Sequence, residues 1–250
     1  MERPPAKVRV NRIALARFEQ WALPRLAKRM PQWVSPDSLT MVGLVAAVLI
    51  ALAYILTWYS LGWLWLASAA FVLHWFGDSL DGTLARVRNI RRERYGFYVD
   101  HQADAISALL IFTALGLSPL MPLVVALLVL IGYYLMMIMV NLVTISRDVF
   151  KISFGGAGPT EARLAMITAN TAVFFSGNAA VGVFGYELTL FTVIGLLGAV
   201  VLLGYYAVFS LIERSKLALL DPTPSRPTSV TGEPVQISDG VAEDDGVTSV

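Results

Sequence analysis

The chain has 250 residues, 56% of them hydrophobic and only 15% charged, and it contains no cysteine. So small a charged share is out of line with an ordinary soluble domain, and the missing thiols exclude a disulfide framework or a thiolate zinc site. The net charge of +1 conceals an uneven placement of basic residues, which is more informative than the total.

Residues 1–34 carry Arg3, Lys7, Arg9, Arg12, Arg17, Arg25, Lys28 and Arg29, interleaved with Ile13, Leu15, Phe18, Trp21, Leu23, Leu26 and Met30. From Asn11 to Met30 the pattern predicts an amphipathic helix with a basic face, suited to an anionic membrane surface. Pro24 would interrupt or kink it. A solvated juxtamembrane segment is the plainer alternative, and the apolar residues argue against a nucleic-acid-binding arm. The first 38 residues lack a short apolar core with a small-residue cleavage site, so no cleavable signal peptide is expected. Ser35-Pro36-Asp37-Ser38 then reads as a helix start, with Ser35 as cap, Pro36 in the first turn and Asp37 at the positive helix end.

Six apolar runs follow, at about 39–58, 62–82, 97–117, 121–145, 161–181 and 188–212. Each is near the ~20 residues that a helix needs to cross hydrocarbon. The expected fold is all-α: a polytopic membrane protein with six transmembrane helices and an N-terminal amphipathic juxtamembrane helix. Trp58, Tyr59, Trp63 and Trp65 surround the first tight turn as an aromatic belt would. Lys and Arg number eight before the first run, five between the second and third, three at the connection of the fourth to the fifth (Arg147, Lys151 and, just inside the fifth, Arg163), and three at the C-terminal end. That accounts for all 19, and the other loops have none. Both termini are therefore expected on the cytoplasmic side of the plasma or inner membrane.

The second run ends in Asp78, Asp81 and Gly82; Ala85, Arg86 and Gly96 follow it, and the third run includes Asp100 and Asp104. Residues three and four apart share a helix face, so Asp78 and Asp81 project from one helix and Asp100 and Asp104 from another. Any one of them alone would pass as an ordinary helix-end aspartate. Four carboxylates converging at the end of apolar runs are costly, and divalent magnesium or manganese, which prefer hard oxygen ligands, would relieve their repulsion. The small residues Gly82 and Ala85 leave room for a bulky group, and Arg86 suits an anionic oxygen. Metals, an open approach and an arginine together suit a diphosphate.

Residues 146–163 contain the turn formers Gly155, Gly156 and Gly158, then Pro159 opening a helix with Glu161 in its first turn. Arg147, Lys151 and Arg163 are expected at the same face as the acids, as an anion pocket for an acceptor or as markers of topology; Glu161 could serve the helix dipole. His74 lies one turn before Asp78 and could orient it, while His101 points away from Asp100 on the helix; packing is the simpler role for both. From Asp221 the composition turns to Pro, Ser, Thr, Gly and acids, which cannot bury a core. The organisation expected is a cytoplasmic segment 1–34, a catalytic membrane domain 35–216 and a disordered acidic tail 217–250.

Those eight positions resemble the signature DxxDGxxAR…GxxxDxxxD of the CDP-alcohol phosphatidyltransferase family, and Pro36-Asp37-Ser38-Leu39-Thr40 is similar to its Pro-Asn-x-Leu-Thr segment except at Asp37. The resemblance implies transfer of a substituted phosphate from a CDP-alcohol to a second alcohol with release of CMP. It implies two metal ions held by Asp78, Asp81, Asp100 and Asp104, with Asp104 also the general base. It places the nucleotide against Gly82, Ala85 and Arg86, gives Gly96 a role in close helix packing, and suggests a homodimer. The favoured donor is CDP-diacylglycerol with a small polar acceptor, for which Arg147, Lys151, Glu161 and Arg163 are candidate contacts. Gly158-Pro159-Thr160-Glu161 resembles a segment of the branch that uses CDP-choline or CDP-ethanolamine with diacylglycerol, where Glu161 could face an ammonium. A cation transporter or channel would account for the four acids but not for Gly82, Ala85 and Arg86 at fixed offsets.

Overall fold

The computed structural model describes residues 8–10, 15–147, 149–151, 158–183 and 185–221. The chain is mostly helical. Its helices are α1 (Ala16–Arg29), α2 (Pro36–Leu56), α3 (Trp63–Val87), α4 (Glu93–Leu117), α5 (Leu123–Arg147), α6 (Pro159–Ser176) and α7 (Leu190–Leu220). Each of the six apolar runs falls on one helix, α2 to α7. Three of these helices, α2, α5 and α7, are long and apolar enough to cross a membrane. The chain divides into two compact units, Met1–Glu213 and Arg214–Val250. In the second, the described residues are the end of α7 and Asp221; most of the expected acidic tail lies outside the described residues.

Local chemistry sets the helix starts. Ser35 caps α2: its Oγ accepts from the Ser38 amide at 3.1 Å, and the Ser38 Oγ accepts from the Ser35 amide at 3.0 Å. Pro36 takes the first turn, where its missing N–H costs nothing. α1 begins at Ala16 rather than Asn11, and it runs through Pro24 without a break; residues 11–14 lie outside the described residues. α3 extends five residues beyond the expected run and ends where Asn89 adopts a positive φ of 56°, a conformation that asparagine tolerates better than most residues. The loop to α4 is consequently short, and Gly82, Ala85 and Arg86 ride on helix.

Two findings depart from an all-α chain. β1 (Val8–Val10) pairs in parallel with β2 (Val149–Lys151), and β3 (Ala180–Val183) pairs with β4 (Tyr186–Thr189) as an antiparallel hairpin. α6 stops at Ser176, short of the expected 181, because Gly177 (φ 67°) and Asn178 (φ 54°) turn the chain left-handed. The Asn178 amide nitrogen donates to the Leu120 carbonyl at 3.1 Å, and its oxygen accepts from the Phe191 amide at 3.1 Å. The hairpin is thereby pinned to the α4–α5 turn.

The decisive packing contact is between α2 and α3. A Cβ placed on Gly77 would lie 2.6 Å from the Gly43 nitrogen and 2.6 Å from the Leu39 carbonyl oxygen. The two backbones therefore touch, as small residues permit between membrane helices. Around this crossing a main core gathers Ala47, Ile50, Tyr54, Phe71, Leu115, Val173 and Phe191. A smaller core of Leu23, Ala27, Val34, Leu39, Leu80 and Leu84 seats α1 against α2 and α3. Arg88 fastens that arrangement by donating to the carbonyls of Met30 (3.1 Å), Pro31 (2.7 Å) and Val34. Met41, Val45, Val48 and Leu52 form an exposed apolar stripe on α2, and Leu197, Val200, Val201, Val208 and Leu211 form another on α7. Stripes this extensive are the kind that hydrocarbon or a partner covers.

Candidate active site

The acids stand where side chains of α3 and α4, both packed on α2, converge beside the first turns of α2. Asp78, Asp100 and Asp104 each offer a carboxylate oxygen, and the three oxygens lie within 4.8 Å of one another. Asp81 is outside that group. Its Oδ2 accepts a hydrogen bond from the Thr40 hydroxyl at 2.7 Å, and its Oδ1 accepts from the Gly82 amide. Thr40 reaches Asp81 because the Gly43–Gly77 contact brings the start of α2 onto α3.

One further element enters the site. Arg163, in the first turns of α6, is 9% exposed. Its Nη2 pairs with Asp78 Oδ2 at 2.6 Å, and its Nε donates to His74 Nδ1 at 3.1 Å. His74 thus orients the arginine, not Asp78 as the spacing suggested. His101 does not point away from Asp100 as expected: its Nδ1 lies 3.9 Å from Asp100 Oδ2 and 2.9 Å from the Phe97 carbonyl oxygen, with its ring tilted against Phe97 at 4.1 Å. Asp78 and Asp104 also line a small cavity together with Thr40, His74 and Ser107.

The remaining candidates fall into three groups. Gly82 and Gly96 face open space among the described residues: a Cβ added at either would meet none of their atoms within 4 Å. Gly96 is therefore not a point of close helix packing. Its neighbourhood, like that of Gly82, is room. Ala85 is half-buried and Arg86 exposed, with one Arg86 nitrogen donating to the Thr83 hydroxyl at 2.8 Å. Glu161 works at a helix start: its Oε2 accepts from the Gly158 amide at 3.0 Å, and its Oε1 accepts from the Leu15 amide at 3.0 Å. It ties α6 to the beginning of α1, a link that Glu19 extends through bonds from Thr160 and from Trp75. The side chains of Arg147 and Lys151 lie outside the described residues.

Three oxygen-only ligands converging from two helices suit a hard divalent cation such as magnesium or manganese. The family model for CDP-alcohol phosphatidyltransferase matches residues 33–210, which takes in both acid-bearing helices and α6. The chain belongs to this CDP-alcohol phosphatidyltransferase family. Over 84 residues it is 37% identical to the phosphatidylinositol phosphate synthase of Cutibacterium acnes (strain DSM 16379 / KPA171202), a match covering 34% of this chain and 38% of that relative's length. The crystal structure of Mycobacterium tuberculosis phosphatidylinositol phosphate synthase with CDP-DAG bound superposes with a TM-score of 0.55 at 21% identity. It covers 82% of this chain and 98% of that one. At such identity the likeness establishes a shared fold.

Of the residues that matter locally, sequence spacing missed Thr40 as the partner of Asp81, and it missed the pairing of Arg163 with Asp78. Both are contacts between helices far apart in the chain. The signal available for the first was the glycine pair, Gly43 and Gly77, which only acquires meaning once two helices are known to cross there.

Proposed function

We propose that the protein transfers a phosphatidyl group from CDP-diacylglycerol to the hydroxyl of a small polar acceptor, releasing CMP. The convergence of Asp78, Asp100 and Asp104 within 4.8 Å carries this reading, supported by the open ground at Gly82 and Gly96. The donor named in the related crystal structure, CDP-DAG, favours the lipid-linked nucleotide over CDP-choline or CDP-ethanolamine. Glu161, the residue that would favour the latter, already has both carboxylate oxygens engaged by backbone amides.

In this mechanism Asp78, Asp100 and Asp104 would hold magnesium or manganese. Asp81 would join them for a second ion on giving up its bonds from Thr40 and Gly82. The ions would supply neutralisation of charge on the attacking and leaving oxygens. Gly82 and Ala85 let the cytidine diphosphate lie close to α3, and Arg86 contacts its phosphate. The acceptor hydroxyl gives its proton to Asp104 as its oxygen bonds to the phosphorus bearing the lipid. The bond from that phosphorus to the bridging oxygen breaks, and CMP departs with the electron pair. The basic residues Arg147 and Lys151 favour an acceptor that carries a phosphate.

The wider setting belongs to the same proposal. All of α2 to α7 cross the membrane, with both termini and the acids on the cytoplasmic side, where CDP-linked alcohols are found. α1 lies along the lipid surface, exposing Phe18 and Trp21 beside its basic residues. Residues 35–216 form the catalytic domain, 217–250 a tail, and the enzyme works as a homodimer.

A panel of CDP-alcohol donors against polar acceptors and diacylglycerol, scored by CMP release from purified protein, tests the assignment. CMP should appear with CDP-diacylglycerol and a polar acceptor, only with divalent metal. Release confined to CDP-choline or CDP-ethanolamine with diacylglycerol would replace the proposed donor. In the reverse direction, CMP and metal added to membranes with labelled phospholipid should form a CDP-alcohol, which a cation transporter would not do.

A further inference from the structure

The acid cluster already contains a cation of its own. Arg163 Nη2 sits 2.6 Å from Asp78 Oδ2, and the oxygens of Asp100 and Asp104 lie within 4.8 Å of a carboxylate oxygen of Asp78. The guanidinium is not a chance visitor from a mobile side chain. It is rooted one turn into α6, nine-tenths buried, and its Nε is held by His74 at 3.1 Å. α6 is in turn anchored through Glu161 to the start of α1. Arg163 Nη1 is also buried and has no hydrogen-bond partner among the described residues, so the side chain has a donor to spare.

A divalent ion bound by Asp78 would sit about 2.0–2.6 Å from its oxygen. It would then share that carboxylate with a guanidinium nitrogen and lie only a few ångströms from a fixed positive charge. Both effects weaken ion binding, because like charges at that range repel strongly in a medium less polarisable than water. An anionic nucleotide reverses the balance, since its phosphates attract ion and arginine alike. We infer that Arg163 is a positioning residue that stands in for the metal at Asp78, holding the carboxylates together and keeping ion affinity low until an anionic nucleotide arrives. Metal and nucleotide then bind with mutual dependence, and linkage requires each to strengthen the other equally. Here the arginine controls when the site becomes loaded, which differs from contacting the acceptor.

This inference rests on the reading of the carboxylates as ion ligands, and the test separates the two. Binding of Mn2+ to purified full-length protein in detergent is measured by calorimetry or by the loss of the free-ion paramagnetic signal, with and without CMP. Wild type should bind Mn2+ weakly alone and more tightly with CMP. Arg163→Gln should bind Mn2+ alone about tenfold more tightly or better, with most of the CMP effect lost, whereas Asp78→Asn should bind more weakly than wild type. Arg163→Gln should also melt lower than wild type in chelator and recover in Mn2+, a pattern that a purely structural arginine would not give. His74→Leu, which removes the anchor on Nε and leaves the charge, is the second variant and should tighten Mn2+ by a smaller factor. Folded Arg163→Gln and His74→Leu proteins with unchanged or weaker Mn2+ affinity would overturn the role of Arg163 while leaving the metal site standing. Absence of Mn2+ binding in wild type and both variants, with or without CMP, would remove the metal site and the inference together.

Discussion

α2, α5 and α7 differ from α3, α4 and α6 in a way that explains the whole molecule. The first three are long and apolar enough to cross a membrane on composition alone, and they expose apolar side chains along one face. The other three carry Asp78, Asp81, Asp100, Asp104 and Arg163, and for that reason fall short on hydropathy. Ionisable groups within a membrane protein face the interior and pair with one another. The pairing here is Arg163 with Asp78, Arg163 with His74, and Thr40 with Asp81. Both sets of helices expose apolar side chains, and the ionisable groups of α3 and α6 are accommodated because they answer each other across a helix boundary.

That contrast can be broken most severely at the acids. Asp104→Asn should lower CMP release by about 10²–10⁴-fold, the usual worth of a general base, with expression and membrane insertion unchanged; wild-type turnover would remove Asp104 from the role of base. Gly82→Leu comes next. Because open space surrounds Gly82, the melting temperature should hold while KM for the nucleotide donor rises by about tenfold, equivalent to ~1.4 kcal/mol. An unchanged KM would show that the nucleotide does not approach α3 there.

The crossing between one helix of each kind, α2 and α3, is tested by a pair of glycines. Gly77→Ala forces backbone apart and should cost about 1–3 kcal/mol in thermal or denaturant unfolding. Gly43→Ala meets its nearest neighbour at an ordinary 3.7 Å and should stay within about 0.5 kcal/mol of wild type. Equal costs at the two positions would mean that the crossing is not where the helices are locked. A more modest effect than at Gly77 is expected at Thr40→Val, which removes one hydrogen bond to Asp81. A loss of about 1 kcal/mol, or roughly fivefold in kcat/KM, should appear with little change in melting.

Much of this was legible in the sequence. Six apolar runs became six helices, since twenty-residue hydrophobic stretches have few other ways to satisfy their backbone, and Ser35 and Pro36 marked a helix start that the hydrogen bonds bear out. The eight-position pattern across residues 78–104 led to the family. Where structure and expectation part, the cause is local and physical. The end of the fifth run passes for membrane helix because alanine, valine and glycine are as apolar in a hairpin as in a span, and the left-handed pair Gly177 and Asn178 outweighs them. Gly96 reads as a packing glycine, yet among the described residues no atom lies within 4 Å of where its Cβ would be.

The sequence by itself determined which helices form and which carboxylates share a helix face, because capping, hydropathy and the 3.6-residue period act over a few neighbouring residues. The tertiary structure alone decided that three acids converge while Asp81 turns to Thr40, and that Arg163 completes the cluster from a helix 85 residues away along the chain. Those outcomes depend on how closely two backbones approach at Gly43 and Gly77 and on where α6 is tethered, distances that no local pattern encodes.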